Sequence, residues 1–302
     1  LSLRRGIHTI FFPGGVRSRS GHIEKKLKNG LLSTLIEAQR ANYQSENPDK
    51  TKKIFVVPVV LNYSFVLEAP LLINQYLERK GQERFYSQDD FSSSFRIFSF
   101  LFRFFTKGSD ISASIGKPMD IFGNEVDELG NSYDKNGRVI HAKDYFRSNG
   151  TINQDRQRES VYTKKLGKAI VGQFFMENEV FASHIAAFTS FELFRRNYPK
   201  FDLYSFLRIP EEDMSINFKD FKTSFKHILE ALLIMEEQEK VRIAPHCFNS
   251  FDDVVDHGIY NLGLYHVKRP LTRENSLLFT QDLHTLYYYH NRLDGYELGK
   301  II

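Results

Sequence analysis

Apolar and polar positions along the chain alternate between two periods. Ile7-His8-Thr9-Ile10-Phe11-Phe12 is a run of β-branched and aromatic residues, the composition of a buried strand. Pro13 ends it, because proline has no N–H to give a ladder. Gly14 and Gly15 then permit a tight turn and the close approach of a ligand. Between Leu27 and Arg40 the period changes: Leu31, Leu32, Leu35, Ile36 and Ala38 recur at near-helical spacing and predict a helix with one apolar face. Ile54 to Tyr63 is apolar at almost every position, as in a central parallel strand covered on both faces. Pro58 inside it marks a bulge or an edge. Strand, Gly turn, helix, strand is half of an α/β unit, with 7–12 and 54–61 expected as neighbouring buried strands.

Further on, Ser112 to Pro118 predicts a short strand and turn. Residues 121–155, rich in Gly, Asn and Asp, are expected as a loop or hairpin insertion, and no internal repeat stands out. Helical periodicity dominates from Arg156, over 161–175, 179–196, 218–240 and 275–293, with Pro199 and Pro210 between helices. The expected organisation is therefore an α/β portion over 1–120, an insertion over 121–155 and a helical region over 156–302.

Composition narrows the classes. Hydrophobic residues make up 41% of the 302 and charged residues 26%, a globular balance and not a disordered one. The longest uncharged run, Ile54 to Leu67, falls short of the roughly 20 apolar residues of a membrane-spanning helix. The single Cys247 excludes an internal disulfide and any cysteine cluster for zinc. His246, His257 and His266 are irregularly spaced and read as satisfied or solvated, so no metal is expected. Leu1 to Gly6 has no apolar core of a signal peptide, and the chain reads as a fragment beginning inside a domain. Residues 1–53 carry eleven Lys/Arg against four Asp/Glu, whereas the whole chain is only +4. Such a basic segment is either a solvated face or a seat for an anion. No long Lys/Arg run interleaved with aromatics occurs, which argues against nucleic acid as a partner.

The candidate chemistry sits directly after the Gly-Gly turn, at Arg17-Ser18-Arg19-Ser20-Gly21. Two arginines flanking a serine at a strand end can hold a phosphate through forked, charge-assisted bonds. The same residues also suit a surface turn with solvated arginines. No Gly-Lys-Ser/Thr follows, so the turn is not a P-loop.

Pro13-Gly14-Gly15-Val16-Arg17-Ser18-Arg19-Ser20-Gly21 resembles the third sequence block of the glycerolipid acyltransferases, in the glycerol-3-phosphate acyltransferase branch. Lys28-Asn29-Gly30-Leu31-Leu32-Ser33-Thr34 is similar to the segment that follows that block. Phe55 to Tyr63, with Val57-Pro58, is similar to the fourth block. Leu286 to Leu293 is similar to a Tyr-Tyr-x-Asn helix near the branch's C-terminus. The resemblance is clear over 1–120 and returns near the end. It departs at Gly14, where the family has glutamate, and in the absence of any His-x-x-x-x-Asp, the family's catalytic block, which lies N-terminal to the third.

The resemblance implies the C-terminal half of a glycerolipid-acyltransferase-like α/β domain followed by a mainly helical extension. It implies transfer of a fatty acyl group from acyl-CoA or acyl carrier protein, as co-substrate, to a hydroxyl of glycerol 3-phosphate. Arg17, Ser18, Arg19 and Lys28 would bind the phosphate, with Gly14, Gly15 and Gly21 shaping the active-site loop and Val57-Pro58 a structural element. No catalytic residue and no cofactor are expected within these residues. Alternatives are acylation of lysophosphatidate or dihydroxyacetone phosphate, or a non-catalytic phospholipid-binding module. Phe91 to Gly108 carries Arg96, Arg103 and Lys107 but no acid, and Ser92, Arg96, Ser99 and Arg103 form one polar stripe on a predicted helix. Its Phe face, including Phe98 and Phe102, suits either a membrane interface or core packing. Peripheral or monotopic association with the cytoplasmic side of a membrane is the corresponding expectation.

Overall fold

Leu32, Leu35 and Ile36 follow one another at three- and four-residue spacing and lie buried on one face of helix α1, Asn29–Tyr43. The computed structural model describes residues 2–15, 18–45, 52–79, 111–264 and 266–302. After α1 come strands β1 (Phe55–Val56) and β2 (Val59–Tyr63), helix α2 (Ala69–Arg79) and strand β3 (Ile111–Ile115). Six short strands follow: β4 (Met119–Asp120), β5 (Glu125–Val126), β6 (Ser132–Tyr133), β7 (Val139–Ile140), β8 (Arg147–Ser148) and β9 (Thr151–Ile152). The remainder is α3 (Arg156–Met176), β10 (Glu179–Val180), α4 (Ala182–Arg196), β11 (Ser215–Asn217), α5 (Phe218–Glu237), β12 (Arg242–Ile243), α6 (Phe251–Gly263), β13 (Thr272–Glu274), β14 (Leu277–Phe279) and α7 (Leu283–His290). The class is mixed helix and sheet. Two compact units interleave in sequence: 1–17, 24–60 and 114–177 form the first, and 18–23, 61–113 and 178–302 the second.

In the first unit α1 packs on α3 over a core of Leu32, Leu35, Ile36, Ile54, Met119, Phe122, Phe146, Leu166 and Ile170. Arg40 and Glu159 form a largely buried ion pair at 2.7 Å between the two helices. An antiparallel meander in the order β1-β4-β5-β6-β7 runs along this core. Its turns repeat every seven residues. Asp120, Asp127 and Asp134 each accept the backbone N–H groups two and four residues on, and Gly123, Gly130 and Gly137 each take φ near +75° three residues on. That geometry needs a short acceptor side chain first and a glycine fourth. The expectation that no repeat is present is therefore corrected: Asp-x-x-Gly recurs three times with period seven.

The second unit is built on α4, whose residues from Ala182 to Phe191 are all buried. A helix buried on every side must be enclosed by neighbours, and α5, α6 and α7 pack against it. Gly258 of α6 allows the closest approach, since a Cβ there would stand 2.6 Å from the Ala182 carbonyl oxygen. Strands β10 and β12 pair in parallel, and β11-β14-β13 form a small antiparallel sheet.

Several expectations change. Residues 7–12 form no strand: Ile10 is 98% exposed and Phe12 77%, and no described strand pairs with them. An apolar run becomes a strand only when a neighbour takes up its ladder. Residues 54–61 are split at Val57-Pro58 into β1 and β2, because the proline carries no N–H. β2 is not buried on both faces; Val60 and Asn62 point inward, whereas Val59, Leu61 and Tyr63 are exposed. Residues 275–282 are hairpin and not helix: Asn275 turns with positive φ, and α7 starts only at the Asp282 cap. Helix α6 had no counterpart among the expected elements. Helices over 29–43, 156–176, 182–196 and 218–237 agree with the periodicity within a turn or so.

Candidate functional site

Gly14-Gly15, as expected, forms a turn, closed by the Gly15 N–H donating to the Phe12 carbonyl at 2.9 Å. A Cβ on Gly15, at φ +75°, would stand 2.9 Å from Cγ of Lys28, so the lysine stem lies over the turn. Lys28 is exposed and caps α1, and its N–H reaches the Pro13 carbonyl at 2.7 Å. A Cβ on Gly14 would meet the Glu24 carboxylate at 2.7 Å. The space beside Gly14 is thus held by a carboxylate from ten residues on. Pro58 is buried and its carbonyl accepts the Gly116 N–H at 2.8 Å, while Val57 is exposed. All of these belong to the first unit.

Ser18, Arg19 and Gly21 belong to the second. Arg17, Phe98 and Phe102, with the polar stripe of Ser92, Arg96, Ser99 and Arg103, lie outside the described residues. Ser18 is exposed, and its hydroxyl donates to the His22 carbonyl at 3.2 Å. Arg19 is half-buried; its Nε donates to Gln75 Oε1 on α2 at 3.2 Å, and no carboxylate among the described residues pairs with it. Ser20 and Gly21 are buried against the end of α7. Asn291 donates from Nδ2 to the Ser20 carbonyl at 2.8 Å, across 271 positions of sequence. Gly21 has φ +79°, and a Cβ on it would fall 2.0 Å from the Tyr288 carbonyl oxygen, so no other residue fits there.

The end of α7 gathers further bonds. Asp282 caps the helix by accepting from the N–H and hydroxyl of Thr285. The Tyr289 hydroxyl accepts the Val66 N–H at 2.9 Å and lies 2.8 Å from His266 Nε2. His290 stacks on Phe188, its Nε2 2.9 Å from Glu192 Oε1 and its Nδ1 3.1 Å from Asn291 Oδ1. Since Asn291 turns its amide nitrogen to Ser20, its oxygen faces the ring. Both neighbours of the imidazole are then acceptors. Burial alone would push the Glu192 carboxyl up, but the hydrogen bond and charge of His290 outweigh it and hold it below its ordinary value. Glu192, His290, Asn291 and the Ser20 carbonyl form one chain of bonds that fixes the loop. His22 adds a contact to Asp294 at 3.2 Å.

Beside this chain of bonds, the Arg292 guanidinium donates to Asn62 Oδ1 and to the Leu61 carbonyl at 3.4 Å. His184 Nε2 donates to the Tyr63 carbonyl at 3.2 Å, and Nδ1 accepts the Phe181 N–H at 3.3 Å. Burial first, then the nearby Arg292 charge, hold this histidine down to about 3, so it is neutral. Among the sequence-predicted residues the structure thus brings Ser18, Arg19 and Gly21 to one place. Arg292, Asn62, Asn291 and Glu192 were not singled out from the sequence as site residues. The first three stand inside segments that carried the resemblance, and that was their signal; Glu192 had none.

Among the described residues no group of His, Cys, Asp and Glu could hold a metal ion, and no helix is long and apolar enough to cross a membrane. The chain matches no protein-family model and no curated protein.

Proposed function

We propose that this chain carries the glycerol-3-phosphate-binding part of an acyltransferase that moves a fatty acyl group from acyl-CoA or acyl carrier protein to a hydroxyl of glycerol 3-phosphate. One observation carries the reading. Ser18–Gly21, Leu61–Tyr63 and the end of α7 are three distant segments that each carry part of the resemblance to this family, and they meet through the Asn291–Ser20 and Arg292–Asn62 bonds. Segments that build one binding site are expected to converge in this way.

The chemistry asks for a fixed phosphate so that the free hydroxyl meets the thioester carbon. Arg19 fits this role, since an amide oxygen orients it and no described acid neutralises it. Ser18 adds a hydroxyl, and by the resemblance Arg17 adds a second guanidinium and Lys28 a further charge. Glu24 lies beside Gly14, the position at which the family pattern has a glutamate. No His-Asp pair at the family's spacing lies within 1–302, so proton removal from the hydroxyl is assigned to no residue here.

The test is acyl transfer by the natural gene product with each substrate varied separately. Arg19→Ala is expected to raise the apparent KM for glycerol 3-phosphate at least about tenfold, roughly 1.4 kcal/mol, and to leave that for the acyl donor in place. Equal changes for both would mark a structural arginine. Transfer to lysophosphatidate or dihydroxyacetone phosphate instead would reassign the acceptor, and no transfer to any of them would leave a phospholipid-binding module.

A further inference from the structure

Arg292 has the surroundings of an anion-binding group and none of a structural ion pair. It is half-buried, yet no carboxylate among the described residues lies within reach of it. A charge so placed ordinarily has an acid partner, because desolvating it costs several kcal/mol. Its described acceptors, the Asn62 amide oxygen and the Leu61 carbonyl, orient the guanidinium without cancelling its charge. A guanidinium has five N–H donors, and both of these bonds come from one terminal nitrogen, so Nε and the other terminal nitrogen have no hydrogen-bond partner among the described residues.

Two further observations point the same way. Asn62 is fully buried, and its Nδ2, whose two hydrogens can only donate, has no acceptor among the described residues. Buried donors of this kind are normally satisfied. The nearby His184 is neutral, and the other titratable groups acting on Arg292 are the phenols of Tyr296 and Tyr288 and no carboxylate. The placement also fits. Arg292 is next in sequence to Asn291 and Arg19 to Ser20, the two residues that the Asn291–Ser20 bond joins. Each is oriented by a side-chain amide oxygen, Gln75 for one and Asn62 for the other.

We propose that Arg292, set by Asn62, is a phosphate-binding residue of this site and holds a phosphate monoester together with Ser18 and Arg19. This rests on the function proposed above. The monoester is that of glycerol 3-phosphate or that of coenzyme A in the acyl donor, and the two are separable.

Calorimetric titration of the 302-residue chain with glycerol 3-phosphate, coenzyme A and inorganic phosphate tests it. Arg292→Gln is expected to weaken binding of at least one probe tenfold or more, and Arg292→Lys to recover only part, since lysine keeps the charge and loses the fork. Asn62→Asp is the decisive variant. It gives Arg292 the acid it lacks, so a structural arginine would hold the fold as well or better and binding would be untouched. A phosphate-binding Arg292 instead yields a protein that is folded, by melting temperature, and has lost binding to the same degree as Arg292→Gln. Loss for glycerol 3-phosphate assigns the acceptor's phosphate, and loss for coenzyme A alone assigns the donor's. Loss for inorganic phosphate, with glycerol 3-phosphate never bound by the wild type, would keep the phosphate site and sink the proposed function. Unchanged binding in folded Asn62→Asp, or no binding of any probe by the wild type, overturns the proposal.

Discussion

The meander of the first unit and the loop at the end of α7 in the second solve the same problem in opposite ways. Each contains tight turns whose backbone groups need partners. In the meander every partner is local: Asp127 takes the N–H groups of Leu129 and Asn131, the Asn131 amide and the Tyr133 hydroxyl, all within six residues. At α7 the partners are remote: Ser20 is 271 residues from Asn291, Asn62 is 230 from Arg292, and Val66 is 223 from Tyr289. Local turns tolerate the loss of one bond, since the neighbouring repeats persist. A loop held by distant partners has no such reserve, and beside it lie two arginines with no acid partner among the described residues and a buried imidazole–carboxylate pair. The proposed phosphate-binding groups accordingly lie in the part of the fold that depends most on long-range order.

Acidification should separate the two regions most. His184 and His266, both in the second unit, are held down to about 3 chiefly by burial. The unfolded chain takes up these protons near pH 6.5 and the folded one does not, so stability is full above pH 6.5 and falls as pH drops toward 3. Each histidine should cost about 2 kcal/mol by pH 5. The first unit's histidines, His8 and His141, are exposed. Hydrogen exchange at pH 7.5 and pH 5 should show α4 and α7 losing protection well before α1 and α3. Equal loss in both units would dissolve the distinction.

Glycine substitutions come next. Gly21→Ala meets both strain at φ +79° and the Tyr288 carbonyl, and should destabilise by on the order of 3 kcal/mol. Gly137→Ala has the same φ sign and nothing within 4 Å, so it should cost about 1 kcal/mol. Urea unfolding of the pair measures the difference, and matching values would mean that the contact with α7 carries nothing. Asn291→Ala removes the partner of the Ser20 carbonyl and of Nδ1 of the buried His290, and about 2 kcal/mol is expected, with a loss of phosphate binding that Gly137→Ala does not share.

The smallest effect is expected in the meander. Hydrogen bonds, led by the Asn131 N–H, hold the Asp127 carboxyl down to about 2. Its contribution is present above the ordinary carboxylate range and is lost as pH falls toward 2. Side-chain NMR titration should find it ionised at pH 3, and Asp127→Asn should leave binding at the α7 loop unaltered.

Parts of the fold were legible along the chain wherever the deciding interactions are short-range. Leu32, Leu35 and Ile36 declare α1 because a helix repeats within four residues, and the Gly14-Gly15 turn follows from backbone freedom alone. The Asp-x-x-Gly period was equally local and went unread because no hydrophobic alternation accompanies it. Residues 7–12 and 54–61 misled for the converse reason: an apolar, β-branched run specifies a tendency to pair, and whether a partner exists is not written in the run. Residues 275–282 kept a helical spacing that a positive-φ Asn275 cancelled.

The site divides along the same line. The arginines, the serine and the glycines of residues 14–21 carry the expectation of an anion loop, because that chemistry belongs to their own side chains and backbone. What holds the loop was decided by tertiary structure: that Asn291 reaches Ser20, that Glu192 compensates His290, and that Arg292 meets Asn62 and no described acid. A lone arginine reads the same in sequence whether an acid faces it or not. Only the fold sets the distance between charges, and with it whether a charge is neutralised or left for a ligand.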